Sequence, residues 1–589
     1  MSALKQSELK LRQPLNAELK LPDSTHPLLC RVLRNRSLRS ADEIQLGLEN
    51  LLPPDRLAGI DLAVDLLVKA LHEQARILIV SDFDADGATS CALAMSALQL
   101  LGAKHVDYIV PNRFEYGYGL TPEIVELAKT RNPDLIITVD NGISSIDGVA
   151  AANAAGIKTL ITDHHLPAAT LPAAAAIVNP NQLGCTFPSK CIAGVGVIFY
   201  VMLALRARLR ESGWFADAAI AEPNMAELLD LVALGTVADV VALDRNNRIL
   251  IDEGLKRIRA GRSRPGILAL LKVANRLPDK LTASDLGFSI GPRLNAAGRL
   301  DDMAAGIECL LATQAGRAHE LALALDAMNQ DRKQIEGTMR DQAFQFLAEL
   351  AFDADTIPAA LCLLDARWHQ GVVGILASRV KDKFHRPVIA FAEVVDSATG
   401  SIELKGSARS IKGFHVRDAL DAVASRHPGL ISKFGGHAMA AGLSLEKHNF
   451  EQFSRAFQLE ATRLLSADQL QACILSDGEV ATQWLSLEVA EILDAAGPWG
   501  QEFQEPVFNG SFRIVQQRIL AGKHLKLVVT PLDAPEVLLD AIAFNLEADA
   551  WPAASVNVMD IAYRLDINEF RGKRNLQLMI ENILGYTVI

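Results

Sequence analysis

From about residue 60 to 265 the chain alternates short apolar runs with segments of helical spacing. The runs at residues 76–80, 135–139 and 159–162 are rich in β-branched side chains and too short for helices. Each gives way at once to polar and acidic residues. Continuous apolar strands separated by helices predict a parallel sheet covered on both faces. Ligands of such sheets bind beyond the carboxyl ends of the strands, so the chemistry is expected immediately after each run. A later apolar stretch ending in Gly235-Thr236-Val237-Ala238-Asp239 is read as a further strand of the same kind.

Between residues 314 and 350 the apolar positions Leu321, Leu325, Met328, Ile335, Met339, Phe346 and Leu350 recur at intervals near three and four, with charges between. This predicts one long amphipathic helix, roughly 45 Å for ~30 residues, weakened slightly by Gly337 and suited to act as a rigid spacer. Residues 355–460 are mixed and glycine-rich. Beyond about 470 the period changes to two: Leu525 and Leu527, then Ile561, Tyr563, Leu565 and Ile567, then Leu576, Leu578 and Ile580 alternate with polar or small residues. Half-buried antiparallel strands follow, and a small β-barrel of the oligonucleotide-binding (OB) kind is the expectation. Between the last two strands lies a turn carrying Phe570, Arg571, Lys573 and Arg574, either part of a basic track for nucleic acid or a solvated hairpin tip. The organisation expected is an N-terminal extension (1–50), an α/β domain with a parallel sheet (51–265), a connecting segment with the long helix (266–350), a smaller α/β domain (351–465) and the barrel (466–589).

Composition narrows the class. Half of the 589 residues are hydrophobic and 22% are charged, as in an ordered globular protein. The seven cysteines are scattered with no CxxC pair, which argues against a structural zinc site or a disulfide framework and fits a reducing, cytoplasmic location. The N-terminus lacks the apolar core of a signal peptide, and no run approaches the ~18 apolar residues of a membrane span. The net charge of −12 does not settle whether nucleic acid is a partner, because binding follows the local field and clustered carboxylates can be offset by cations.

The first strand ends in Ser81-Asp82-Phe83-Asp84-Ala85-Asp86-Gly87. Aspartates at i, i+2 and i+4 before a glycine match the start of an EF-hand loop, but that loop needs a bidentate Glu at position twelve, where this chain has Leu93. The second strand ends at Asp140-Asn141-Gly142, the third at Asp163-His164-His165, and the later stretch at Asp239. A single strand-end aspartate is usually a helix N-cap or turn residue. Four such sites after four apolar runs describe converging carboxylates that would repel one another unless cations lay between them. Oxygen-rich ligands with an imidazole or two favour Mn²⁺ or Mg²⁺ over zinc.

The sequence blocks DFDADG, VDNG, DHH and GTVAD, in that order, resemble the motifs of the DHH phosphoesterases. Residues 291–302, 368–374, 407–410 and 435–442 resemble the single-stranded-DNA-specific exonuclease branch of that family in particular. The similarity is strong over roughly residues 50–460, weaker in the C-terminal β region and absent from the first 40. It implies a DHH domain, a DHHA1-type second domain and an OB-like barrel. It also implies 5′→3′ degradation of single-stranded DNA to 5′-mononucleotides by two-metal hydrolysis, in DNA repair and recombination. Two ions, Mn²⁺ or Mg²⁺, are implied, with Asp82 and Asp84 on one, Asp86, His164 and Asp239 on the other, and Asp140 bridging. His165 would stabilise charge on the phosphate, and Asp163 would orient a neighbour. Arg113, Asn141, Arg293, Arg299, His369, Ser407, Arg409, Gly435, Gly436 and His437 are the implied substrate contacts, Ser407 and Arg409 at a terminal phosphate because a guanidinium fork bonds two oxygens at once. The expected partners are single-stranded DNA, a single-stranded-DNA-binding protein and a helicase, with no membrane, and the expected state is a monomer.

Alternatives with the same chemistry are a DHH phosphodiesterase for short oligonucleotides, cyclic dinucleotides or pyrophosphate. The length and the extra β region favour a longer polymer. A non-catalytic DHH scaffold in a replication assembly would be expected to have lost ligands, and this chain keeps them.

Overall fold

The protein is described here from a computed structural model, which describes residues 8–36, 38–112, 116, 118–349, 357–395, 402–544, 546, 551 and 556–588. The chain divides into two compact units. One holds Leu11–Asn329 with Ser476–Ile589, and the other is built on Gln330–Leu475.

In the first unit five parallel strands form a sheet in the order Val106–Ile109, Ile77–Ser81, Leu135–Val139, Lys158–Thr162, Ala176–Val178. Ile77–Ser81 and Leu135–Val139 are buried along their whole length, as expected for strands covered on both faces. One face packs in a large core with the helices Ala85–Leu100 and Gly194–Glu211, and the other packs beneath Pro122–Lys129 and Ile146–Ala154. Residues 267–325 add Ile267, Leu270, Leu286, Leu294, Ile307 and Leu325 to the larger core.

The stretch before Asp239 is not a strand. Leu229–Ala238 forms a helix with Asp239 as its C-cap. Its residues from Leu229 to Thr236 are all buried, so the sequence shows no polar face whose period could separate a buried helix from a buried strand. The long helix spans Ala315–Glu349, and the boundary between the units falls inside it.

The C-terminal strands close a barrel in the order Phe508–Leu520, His524–Pro531, Leu539–Ala543, Lys573–Val588, Val556–Phe570. The period-two positions Leu525, Leu527, Ile561, Tyr563, Leu565, Leu578 and Ile580 fill its interior. The basic turn is a two-residue hairpin connection, with Arg571 and Gly572 both at positive φ (52° and 74°) and Phe570 opposite Lys573. Arg574 there pairs with Glu491 at 2.8 Å. The N-terminal extension is tied into this unit. Leu28 and Val32 of the helix Pro27–Arg34 enter the barrel core, and the buried Arg36 guanidinium meets Asp477 at 2.9 and 3.1 Å.

In the second unit a five-stranded sheet runs Lys433–Gly436, Ala440–Glu446, Ile402–Arg409, Val388–Val395, Leu361–Leu364. Among the described residues no helix is long and apolar enough to cross a membrane.

Candidate metal centre

Three adjacent strands deliver the acidic and imidazole groups. Asp82 follows Ile77–Ser81, Asp140 follows Leu135–Val139, and Asp163 and His164 follow Lys158–Thr162. Two helix ends supply the rest. Asp84 is the N-cap of Ala85–Leu100 and accepts from the N–H groups of Asp86 and Gly87 at 2.9 and 3.0 Å. Asp86 sits in the first turn of that helix, where the helix dipole favours a carboxylate. Asp239 stands at a helix C-terminus, where the dipole disfavours one. Gly87 is required by packing, since a Cβ there would lie 2.5 Å from the Asp82 carbonyl oxygen.

The donor atoms fall into overlapping sets. Asp82, Asp84 and Asp140 form one, Asp86, His164 and Asp239 another, and Asp140, His164 and His165 a third that joins them, with the donor atoms of each set within 4.8 Å of one another. His164 Nε2 lies 3.1 Å from Asp140 Oδ1 and 3.4 Å from Asp239 Oδ2. All three atoms are buried, and none makes a hydrogen bond of acceptable geometry. Asp140 takes a positive φ of 61°, and its N–H donates to the Thr162 carbonyl at 3.0 Å. A non-glycine residue held there is a strained backbone at the point where the chemistry is expected.

The electrostatics agree. Burial, then the charge of Asp84, pushes the Asp86 carboxyl up to about 7. Burial and the neighbouring aspartates hold Asp140 and Asp239 well above the usual carboxylate range. Burial, then His165, brings the His164 imidazole down to about 4, leaving it a neutral donor. Burial also opposes charge on His165, but the hydrogen bond and charge of Asp163 outweigh it and raise the ring to about 9. Asp163 itself stays below its ordinary value: burial works against this, and the His165 ring, its N–H and the charge of His164 prevail. Its oxygens accept from Ile143 N–H at 2.9 Å, His164 N–H at 2.7 Å and His165 Nδ1 at 2.8 Å.

Buried oxygen and nitrogen atoms crowded together without a hydrogen bond between them are the signature of a site built for cations. Carboxylate oxygens with one imidazole nitrogen suit Mn²⁺ or Mg²⁺. The residues present therefore fit a divalent metal.

The remaining predicted residues are distributed as follows. Asn141 spends its amide hydrogens on the Val80 and Val139 carbonyls, at 3.1 and 2.9 Å, bracing two strand ends. Arg293 and Arg299 lie on the helix Gly291–Leu300, and Arg293 pairs with Asp326 at 2.8 Å. Arg113 lies outside the described residues. The second unit holds the others. Ser407, Gly442 and Gly435 occupy one row across three strands. Arg409 Nη1 donates to Ser407 Oγ at 3.1 Å and to the Ala408 carbonyl at 2.8 Å. A Cβ on Gly374, at the start of the helix Val373–Phe384, would come within 2.8 Å of Arg409 Nη2 and 2.9 Å of Ser407 Oγ. Nδ1 of His437 and of His369 accept from the N–H groups of Met439 and Gly371.

Sequence reasoning passed over several groups at the centre. The Tyr118 hydroxyl donates to the Asp140 carbonyl at 3.2 Å and lies 3.3 Å from His165 Nδ1, with the ring edge-on to Phe83. Asn295, inside a motif that had been singled out, accepts the Ala85 N–H at 2.8 Å. The N–H groups of Gly194 and Val195 donate to the two oxygens of Asp86 at 2.7 and 3.0 Å.

The DHH family N-terminal domain model matches residues 76–236, the DHHA1 domain model 356–462 and the RecJ OB domain model 476–582. The chain is 55% identical over 574 residues to the single-stranded-DNA-specific exonuclease RecJ of Dickeya dadantii, covering 98% of this chain and 99% of that one. It is 54% identical over 580 residues to the protein of the same description from Escherichia coli, covering 98% and 100%. Among solved structures, RecJ from Thermus thermophilus in complex with Mn²⁺ is similar at a TM-score of 0.77 and 27% identity, over 95% of this chain and 76% of that one.

Proposed function

This chain belongs to the RecJ family of single-stranded-DNA-specific exonucleases, and we propose from that premise that it hydrolyses single-stranded DNA from the 5′ end to 5′-mononucleotides at a pair of divalent ions. What carries this is the convergence of Asp82, Asp84, Asp86, Asp140, His164 and Asp239, whose donor atoms lie within 4.8 Å of one another in each set of three. Asp82, Asp84 and Asp140 would hold one ion, and Asp86, His164 and Asp239 the other, with Asp140 facing both sets. Mn²⁺ or Mg²⁺ held there would lower the pKa of water and offset charge on the scissile phosphate.

The protein's own groups do the rest. His165, charged at neutral pH and half in solvent, donates toward a non-bridging phosphate oxygen as charge grows there. Asp163, buried and held by three N–H donors, fixes the ring that does so. Water adds to phosphorus, the bond to the 3′-oxygen of the terminal nucleotide breaks, and that oxygen leaves as a hydroxyl. Ser407, Arg409, Gly435, Gly436 and His437, with His369, are the groups suited to a 5′-terminal phosphate, since a guanidinium fork and a stretch of glycine backbone admit its oxygens closely. Arg113, Asn141, Arg293 and Arg299 remain the candidates along the strand. A strand-consuming enzyme of this kind serves repair and recombination, supplied with single strands by a helicase and meeting them coated by a single-stranded-DNA-binding protein.

The test is digestion of oligonucleotides labelled at either end, single- and double-stranded, with Mn²⁺, Mg²⁺ or EDTA. Single strands should shorten from the 5′ end only when metal is present. Degradation from the 3′ end, indifference to strandedness or activity in EDTA would overturn the reading.

A further inference from the structure

We propose that Asn247 is a positioning residue for the metal set Asp86, His164 and Asp239, acting through the two backbone segments that hold all three; this rests on the metal reading above. Asn247 lies in the first turn of the helix Arg245–Arg259 and is fully buried. Its own N–H donates to the N-cap Asp244 at 2.9 Å, which fixes the helix start and with it the side chain. The side-chain amide donates both hydrogens, one to the Cys191 carbonyl at 2.9 Å and one to the Ala242 carbonyl at 2.8 Å. Two carbonyl acceptors demand the nitrogen end of the amide, so its orientation is set by chemistry.

Each of those carbonyls belongs to a segment that handles metal ligands. Directly after Cys191, the Ile192 carbonyl accepts from the His164 ring, and the N–H groups of Gly194 and Val195 hold the two oxygens of Asp86. Three residues before Ala242 stands Asp239, and between them Val240 takes a φ of +62°. A β-branched residue in the left-handed region is strained, and such strain persists only where the surroundings enforce it. The Asn247 bond to Ala242 is one of the restraints on that short segment, and the Leu243 N–H bond to the Gln501 carbonyl at 2.8 Å is another. One buried amide therefore spans the segment that orients two ligands and the segment that carries the third. Partners bonded directly to metal ligands typically change metal affinity by about 10- to 100-fold when lost, and Asn247, one step further out, is expected at the low end of that range.

The experiment titrates Mn²⁺ into the metal-stripped full-length protein by calorimetry and follows exonuclease rate against Mn²⁺ concentration. Asn247→Ala should weaken the binding of one ion by about 10-fold, with turnover regained at high Mn²⁺ and the KM for single-stranded DNA unchanged. Gln74→Ala serves as the control for general destabilisation. Gln74 is also a side-chain amide that joins two loops, donating to the Leu71 and Gly102 carbonyls, but it sits at the opposite, amino-terminal end of the strands. A second variant, Asn247→Asp, keeps the volume, removes the donors and should reproduce the metal defect if Asn247→Ala does not fold. Wild-type Mn²⁺ affinity in the folded Asn247 variants, or an equal loss in Gln74→Ala, overturns the inference alone. Failure of the wild-type protein to bind Mn²⁺ overturns the metal reading beneath it.

Discussion

Gly194 and Asp140 approach so closely that a Cβ on Gly194 would stand 2.6 Å from Asp140 Oδ1. The two residues come from different elements, a helix start and a strand end, so the contact is a property of the folded site. Gly194→Ala must push the Asp140 carboxylate aside or move the helix start that holds Asp86. A displacement near 1 Å at a reacting centre costs about 100-fold in rate, whereas adding a methyl to a tight site costs only about 1–3 kcal/mol of stability. The expected outcome is a folded protein with turnover down by about two orders of magnitude, checked by steady-state assay beside thermal melting. Full activity in the alanine variant would show that the site yields at no cost.

Asp140 faces four other aspartates, and its carboxyl is pushed well above its ordinary range by burial and by the charges of Asp86, Asp84, Asp239 and Asp82. Replacing it by Asn removes one repelling charge at constant volume. In EDTA, Asp140→Asn should therefore melt higher than wild type. In Mn²⁺ the order should reverse, because ligand-linked stabilisation of the wild type reaches about 2.7 kcal/mol at 100 times Kd. Turnover should be lost. Melting curves at several Mn²⁺ concentrations check all of this, and a variant that keeps the wild-type response to Mn²⁺ would remove Asp140 from the metal set.

Arg409 is anchored by Ser407 Oγ and the Ala408 carbonyl, with Gly374 leaving room beside its guanidinium. If it receives a terminal phosphate, Arg409→Ala should reduce the preference for 5′-phosphorylated over 5′-hydroxyl strands by about 10-fold or more, since charge-assisted bonds are worth about 1.5–3 kcal/mol. Competition between the two substrates measures it. Equal loss on both would assign Arg409 to general binding.

Much of this site was legible because the sheet places its chemistry at strand ends. Asp82, Asp140, Asp163 and His164 each follow a run of β-branched residues at once, and the sheet brings those strands side by side. The barrel was legible for a similar reason, since alternate positions such as Leu525 and Leu527 face one interior. Asp239 stands beside Asp86 and His164, but on a helix end where a strand end was expected, because a helix buried on every side shows no period. Tyr118 and Asn247 were not seen at all. Tyr118 meets His165 across 47 positions, and Asn247 meets Cys191 across 56. Contacts of that span are created by the fold and leave no trace in local spacing. The same holds for Arg36 and Asp477, 441 positions apart, which bind the N-terminal extension, a segment without any motif, to the barrel.

Glu460 in the second unit offers a test that does not involve the metal residues. Its side chain is only 2% exposed, yet it accepts from Arg463 at 2.7 and 3.0 Å and from Arg426, both of which are about half in solvent. The Arg463 hydrogen bonds, opposed by burial and reinforced by Arg426, hold the carboxyl below its ordinary value of 4.5. A group with a lower pKa in the folded than in the unfolded state binds fewer protons when folded. Its stabilisation is thus complete above about pH 4.5 and fades as pH falls through the folded value. Glu460→Gln should therefore cost about 1.5–3 kcal/mol near pH 7, the range for hydrogen bonds to charged groups. The gap to wild type should close progressively as the buffer is taken from pH 5 toward pH 3. Urea unfolding followed across that range measures the difference directly. A gap that stays constant with pH would mean that Glu460 contributes through packing and not through its charge.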